Sequence, residues 1–211
     1  MKDIKQELDV VNANIQVQLP IEILEAFGQS IADLQTKEFG KTSKVGMLFS
    51  ETVVLTENKI ETTIKDLFGG KKGIISFVRG NWCPFCNVEI GHLLAYYKEL
   101  HAKNVEVVVV SPMAIDTLKD WKEEMNMPFA IAQDKDLELA KALGIDFELQ
   151  DFVQPYYEKL GIDIKQFNQT TDVELPVPAV YVVNEEGVIT FAFIDCNYTN
   201  RLDLKEILTV L

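Results

Sequence analysis

Cys83 and Cys86 stand two residues apart, with Pro84 between them and Trp82 just ahead. They follow an apolar run, Gly73-Ile74-Ile75-Ser76-Phe77-Val78, and precede a helical pattern that opens at Pro84. At such a strand-to-helix junction the first-turn N–H groups are free and the helix dipole favours negative charge. A thiolate is stabilised there, and a cysteine pKa can fall from about 8.5 into the range of roughly 3.5–7.5. Pro84 suits the first turn, where its missing donor costs nothing. The spacing lets the two sulfurs meet and close a disulfide, so one segment supplies a nucleophile and its partner. Arg79, one of two arginines with Arg201, precedes Cys83 by four residues and either steadies a thiolate or pairs with an acid. A zinc site needs two more ligands, and Cys196, His92 and His101 are single and scattered. Two inert, buried cysteines are the remaining alternative. Glu89 and Asn87 fall in the first turns after Cys86, where an acid suits the dipole; proton transfer is one reading of Glu89.

The elements that must position this pair alternate in type. Ile4, Leu8, Val11 and Ile15 recur at helical spacing, as do Ile21, Ile23, Leu24, Phe27, Ile31 and Leu34; Pro20 separates the two stretches and Gly40 stops the second. Residues 1–40 are thus predicted as an α-hairpin. Its apolar stripes must cover the domain's own surface, the favoured reading, or a second subunit in a homodimer. Short β-branched runs at 52–55 and 60–64 flank a polar turn. The run at 73–78 is apolar on both faces, as in a strand within a sheet. A helix is predicted from Pro84 to His101, then a strand over 105–110, a helix over 115–122, a strand over 129–132 and a helix over 137–143 stopped by Gly144. Strands at 180–183 and 188–193 flank Asn184-Glu185-Glu186-Gly187, a hairpin signal, and a helix over 204–211 ends the pattern. The order βαβαβ, hairpin, helix implies a sheet with covering helices. Residues 146–172, rich in Phe, Tyr, Gln and Asp, are not assigned; they either shape the mouth of a site or form a surface connection.

The 211 residues suffice for one domain with an appendage, and 47% hydrophobic with 25% charged residues is an ordinary globular composition. A net charge of −13 argues against a nucleic-acid partner, which needs clustered cations. Without a run of ~20 apolar residues no membrane span is expected. The start Met1-Lys2-Asp3-Ile4-Lys5 has no apolar stretch after its charges, so no secretory signal and a cytoplasmic location are expected. Three cysteines are too few for a disulfide scaffold, and a close pair in a reducing compartment points to redox chemistry.

Phe77-Val78-Arg79-Gly80-Asn81-Trp82-Cys83-Pro84-Phe85-Cys86-Asn87 resembles the F-Y-R-G-x-W-C-P-Y-C-N segment of bacterial peroxiredoxin-like proteins, within the alkyl hydroperoxide reductase and thiol-specific antioxidant family. Residues 176–184 resemble the same group's P-x-P-A-T-[FY]-V-I-D. Residues 194–201 resemble V-D-P-D-Y-T-x-R, with Cys196 in place of a proline. The resemblance implies an α/β, thioredoxin-like fold, a central mixed sheet flanked by helices, with an N-terminal helical extension at 1–40 and the domain at 41–211. It implies a thiol peroxidase: one cysteine attacks a hydroperoxide, the sulfenic acid condenses with a second thiol, and thioredoxin or a similar dithiol reduces the disulfide. No cofactor or metal is implied. Aligned on peroxiredoxins, Cys86 takes the peroxidatic place, Cys83 that of a threonine and Arg79 that of a proline. Cys86, Cys83 and Arg79 are then the catalytic set, with Trp82, Pro84 and Pro178 forming the substrate pocket. Pro178, just before a strand, is the expected cis proline against the thiols; Pro176 stands further off. Aligned on thioredoxin's W-C-G-P-C, Cys83 attacks instead and Cys86 resolves, while Ser76 falls where thioredoxins bury an acid. The alternatives are a protein disulfide reductase and a redox-regulated binding module without turnover. Cys196, His92, His101 and Trp121 receive no catalytic role.

Overall fold

Alternating apolar residues on three adjacent strands, β3 (Gly73–Phe77), β4 (Glu106–Ser111) and β5 (Ala130–Gln133), organise the molecule in a computed structural model that describes residues 3–209 and 211. The three run parallel, with Phe77 beside Val110 and Val110 beside Ala132. Successive side chains point to opposite faces, so Ile75, Phe77, Val108 and Val110 enter one core, and Ile74, Val107, Val109 and Ile131 enter the other. The antiparallel hairpin β8 (Ala179–Val183) and β9 (Ile189–Ile194) adds to β3. On the far side β1 (Val54–Thr56) and β2 (Glu61–Thr62) pair antiparallel with each other, and β1 with β5. The strand order is β2-β1-β5-β4-β3-β8-β9, a mixed sheet with the site strand β3 at its interior.

Helices cover both faces. On one lie α4 (Pro84–Ala102), α5 (Ile115–Glu124) and α9 (Lys205–Leu208); on the other, α3 (Ile64–Phe68) and α6 (Glu138–Leu143). The N-terminal pair straddles them: Ile4 and Leu8 of α1 (Ile4–Gln18) join the core under α4, while Ala26 and Leu34 of α2 (Ile21–Leu34) join the opposite one. The stripes of the hairpin therefore pack on the chain's own surface. Val210 of the expected last helix, and Met1 and Lys2 of the charged start, lie outside the described residues.

The unassigned stretch folds. β6 (Asp146–Glu148) pairs antiparallel with β7 (Glu174–Pro176), and α7 (Gln154–Lys159) and α8 (Ile164–Asn168) fill the loop between them. Apolar Leu149, Val153, Tyr157, Ile164 and Leu175 anchor this insertion in the core. Its period was hard to read because the elements are only three to six residues long, too short to display one.

Candidate active site

Cys83 is the N-cap of α4, in extended conformation, and its carbonyl accepts from the N–H groups of Cys86 and Asn87 at 3.1 and 3.2 Å. The approach loop is held from α4 itself: the Asn87 amide donates to the Asn81 carbonyl at 2.8 Å, and Trp121 Nε1–H donates back to Asn87 at 3.1 Å. Both thiols are free and 0% exposed. Gly80 in the same loop has no room for a side chain: a Cβ there would stand 2.4 Å from Trp82 Nε1 and 2.6 Å from Met113 Sδ. Gly80→Ala is expected to displace the Trp82 indole, cost about 1–3 kcal/mol of stability, and shift the emission maximum of the folded protein; an unchanged spectrum and melting temperature would refute that packing.

Each thiol has its own guanidinium. Arg79 Nη2 donates to Cys83 Sγ at 3.2 Å and Nη1 to the Tyr157 hydroxyl at 3.0 Å. Its guanidinium lies 3.8 Å from the Tyr198 ring centroid and 5.3 Å from that of Trp82. Arg201 Nη2 donates to Cys86 Sγ at 3.4 Å, and its Nε meets Glu89 Oε2 at 2.5 Å in a buried ion pair. The Ser76 hydroxyl donates to the other Glu89 oxygen at 2.6 Å, and the Arg201 Nη1 donates to the carbonyls of Tyr198 and Asn200. Glu89, from α4, thus fills the region beneath the pair with Ser76 as its donor.

The charges decide how the pair titrates. Burial raises both thiols. At Cys83 the bond from Cys86 and the fields of Arg79 and Arg201 outweigh it and hold the pKa well below the ordinary range. At Cys86 burial combines with the neighbouring Cys83 thiolate, and the pKa is pushed well above it. Burial also raises the Glu89 carboxyl, which Arg201 and Ser76 pull back. Two guanidinium cations and one carboxylate leave room for a single thiolate in the enclosed site. Because Glu89 neutralises Arg201, the unbalanced positive charge is Arg79, beside Cys83. Burial of Tyr157, the largest influence on it, keeps that phenol protonated despite Arg79.

A cavity of about 720 Å³ ends at this cluster, with Arg79, Trp82, Cys83, Pro84, Tyr157 and Tyr198 in its wall. Trp82 and Pro84, expected at a substrate pocket, both line this cavity. Pro178 does not: it is buried at the foot of β8, outside the wall of that cavity, and no cis peptide bond occurs among the described residues. The expected cis bond is replaced by the trans form, which X–Pro bonds favour by about 0.5–1 kcal/mol. Nor is Cys86 part of that wall. Sequence reasoning gave no role to two groups, Arg201, legible as the second of two arginines in a family-like motif, and Tyr157, which sat in the unassigned insertion. Glu89 was singled out there for proton transfer but gave no sign of burial. His92 is buried with its ring 3.2 Å from Asp203, and Trp121 is buried, both structural. Cys196 is partly buried at the edge of a core, away from the pair's hydrogen bonds.

The AhpC/TSA family model matches residues 45–192. This chain belongs to the AhpC/TSA family. Peroxiredoxin-2E-2, chloroplastic, of Oryza sativa subsp. japonica is 32% identical over 135 residues, which cover 61% of this chain and 56% of the rice protein; the match thus spans little more than half of that relative's length. Peroxiredoxin 1 of Sulfuracidifex metallicus is 27% identical over 76% of this chain and 67% of its own. Among solved structures, the reduced Prx3 of Vibrio vulnificus in complex with hydrogen peroxide superposes with a TM-score of 0.63 at 19% identity, covering 79% of this chain and 97% of that one. A peroxiredoxin 6 of Arenicola marina gives 0.64 at 18%, covering 79% and 71%. The fold of this AhpC/TSA member is thus the thioredoxin-like fold of peroxiredoxins. No helix among the described residues is long and apolar enough to cross a membrane.

Proposed function

We propose that the chain is a thiol-dependent peroxidase that cycles Cys83 and Cys86 between dithiol and disulfide. The observation that carries this reading is the Arg79–Cys83 contact in the cavity wall, where one guanidinium both holds a thiolate and offers N–H groups to an entering oxygen. The Cys83 thiolate attacks one oxygen of a hydroperoxide, the O–O bond breaks, and the alkoxide or hydroxide leaves with a proton. The Tyr157 hydroxyl, which accepts from Arg79, still has its own proton to donate. Cys86 then attacks the Cys83 sulfenic sulfur, an S–S bond forms, and water leaves. A thioredoxin-like dithiol returns two electrons and two protons.

This reading takes Cys83 as attacking thiol, where alignment on peroxiredoxins favours Cys86. Support comes from the charge balance above and from the cavity, whose wall includes Cys83 alone of the pair. Cys83 exposes 0% of its surface, so the cavity wall has to give before any substrate meets the sulfur, and a small –OOH group requires less of it than a protein disulfide. Regeneration requires the first turn of α4 to open, and oxidation loosens that turn by removing the thiolate that Arg79 and the helix N-terminus hold. Residues 1–40 serve as an extension roofing the domain at 41–211, in the reducing cytoplasm, and a homodimer is compatible with the exposed Val10 and Val17 of α1.

Mixing the fully reduced protein with one equivalent of hydrogen peroxide tests the reading. Two of the three thiols should vanish together, with a tryptophan fluorescence change from Trp82, far faster than free thiol reacts. Reaction no faster than that of free cysteine, with rapid exchange against a protein disulfide, would overturn it in favour of a reductase.

A further inference from the structure

The cavity at Cys83 is far too large for the smallest peroxide. A water-sized molecule occupies about 30 Å³, whereas about 720 Å³ falls in the roughly 300–1,000 Å³ range of sites for much larger ligands. Its extra space comes from the N-terminal helices, which precede residues 45–192 of the family match. Ile15 of α1, Leu24, Phe27 and Ile31 of α2, and Ile162 of the insertion make its walls hydrocarbon. Its lining residues Asn12, Gln16 and Gln18 are polar but uncharged. Arg79, committed to Cys83 and Tyr157, is the one charged side chain among the described lining residues.

Gly28 keeps this space open. It sits inside α2, where glycine is a poor helix former, and it lines the cavity. A Cβ built there meets nothing within 4 Å, so neither close packing nor a special backbone angle requires glycine at this position.

We infer that the chamber between the N-terminal helices and Cys83 selects uncharged organic hydroperoxides with a bulky hydrocarbon body, in preference to hydrogen peroxide and to free fatty-acid hydroperoxides. This rests on the peroxidase reading of the cysteine pair. The hydrocarbon body gains by leaving water for the apolar walls, while the –OOH group is directed at Arg79 and, once the wall gives, at the buried Cys83. A free carboxylate finds no cation in the described lining besides the committed Arg79, and the chain's net charge of −13 repels it. The reaction is the one already written, with the organic alcohol as leaving product.

The test compares kcat/KM of the wild type for cumene hydroperoxide, hydrogen peroxide and linoleic acid hydroperoxide, then repeats it with Gly28→Leu. Cumene hydroperoxide should exceed both others by at least about tenfold. Gly28→Leu, which fills the chamber with a good helix former, should lower the cumene-to-hydrogen-peroxide ratio about tenfold. Binding of cumyl alcohol, the product, followed by Trp82 fluorescence, checks the chamber without turnover and should weaken likewise in the variant. If hydrogen peroxide is consumed rapidly but cumene hydroperoxide has no advantage and the alcohol does not bind, the chamber assignment falls and the peroxidase stands. If no peroxide is consumed but the alcohol binds the wild type and not the variant, the peroxidase reading falls and the chamber stands. Equal use of cumene and linoleic acid hydroperoxides would overturn the selection against carboxylates. Should Gly28→Leu not fold, the wild-type ratios and alcohol binding decide alone.

Discussion

Cys83→Ser is expected to abolish peroxide consumption, with a loss on the order of a thousandfold or more, as follows from removing a nucleophile whose roles are not shared. A serine hydroxyl stays protonated where the cysteine is a thiolate, so Arg79 has no anion to hold. Cys86→Ser should behave differently. The first equivalent of peroxide still reacts at Cys83, but the sulfenic acid finds no resolving thiol, and turnover stops after one event. Stopped-flow fluorescence with a sulfenic-acid trap separates the two variants. A fast phase lost only in Cys86→Ser would reverse the assignment and restore the order that alignment on peroxiredoxins implies. The pH dependence carries the same information. With the Cys83 pKa held well below the ordinary thiol range, the wild-type rate should be flat through neutrality and fall only as acid protonates the thiolate. Arg79→Met removes the largest of the cationic influences on that thiolate, and its rate should instead climb with pH toward the range of an ordinary buried thiol. The linkage has a definite sign. A depressed pKa contributes stability above the unfolded value of about 8.5, and that contribution is lost as pH falls through the folded value.

Arg201→Met should unfold the protein at markedly lower temperature. It leaves the Glu89 carboxylate buried opposite Ser76 without its cation, and breaking a buried pair by deleting one partner costs about 3–5 kcal/mol. At roughly 2–4 °C per kcal/mol for a chain of this size, the melting temperature should drop by roughly 6–20 °C. The deficit should shrink as pH falls. The Glu89 pKa is already raised, chiefly by burial, and without Arg201 it rises further, so acid neutralises the stranded carboxylate. Adding Glu89→Gln to Arg201→Met should recover much of the loss at neutral pH, and a double-mutant cycle on the two positions measures their coupling. Simple additivity of the two single effects would show that the pair contributes no coupling and that Arg201 acts only through its carbonyl contacts.

How Arg201 came to matter shows where legibility ended. The run 73–78, the helix opening at Pro84, the strand over 105–110 and the hairpin around Gly187 all appear within a residue or two of their expected places. Each is fixed by patterns inside about twenty residues: two-sided apolar runs for interior strands, a proline at a helix start, a glycine in a turn. The same local logic put two thiols at a helix N-terminus with an arginine four residues upstream. Which thiol is the anion is not a local property. It depends on Arg201 reaching Cys86 across 115 residues, and on Glu89 turning inward to cancel that charge. It depends too on Tyr157 arriving from an insertion whose elements are too short to show a period. Helix periodicity predicted the N-terminal hairpin but not the chamber, because residues at identical spacing divide between core and cavity only once the helices straddle the sheet. Sequence therefore determined where the cysteine pair stands on its scaffold. Tertiary structure decided their charge state and what can reach them, because electrostatic and steric effects depend on distance in space.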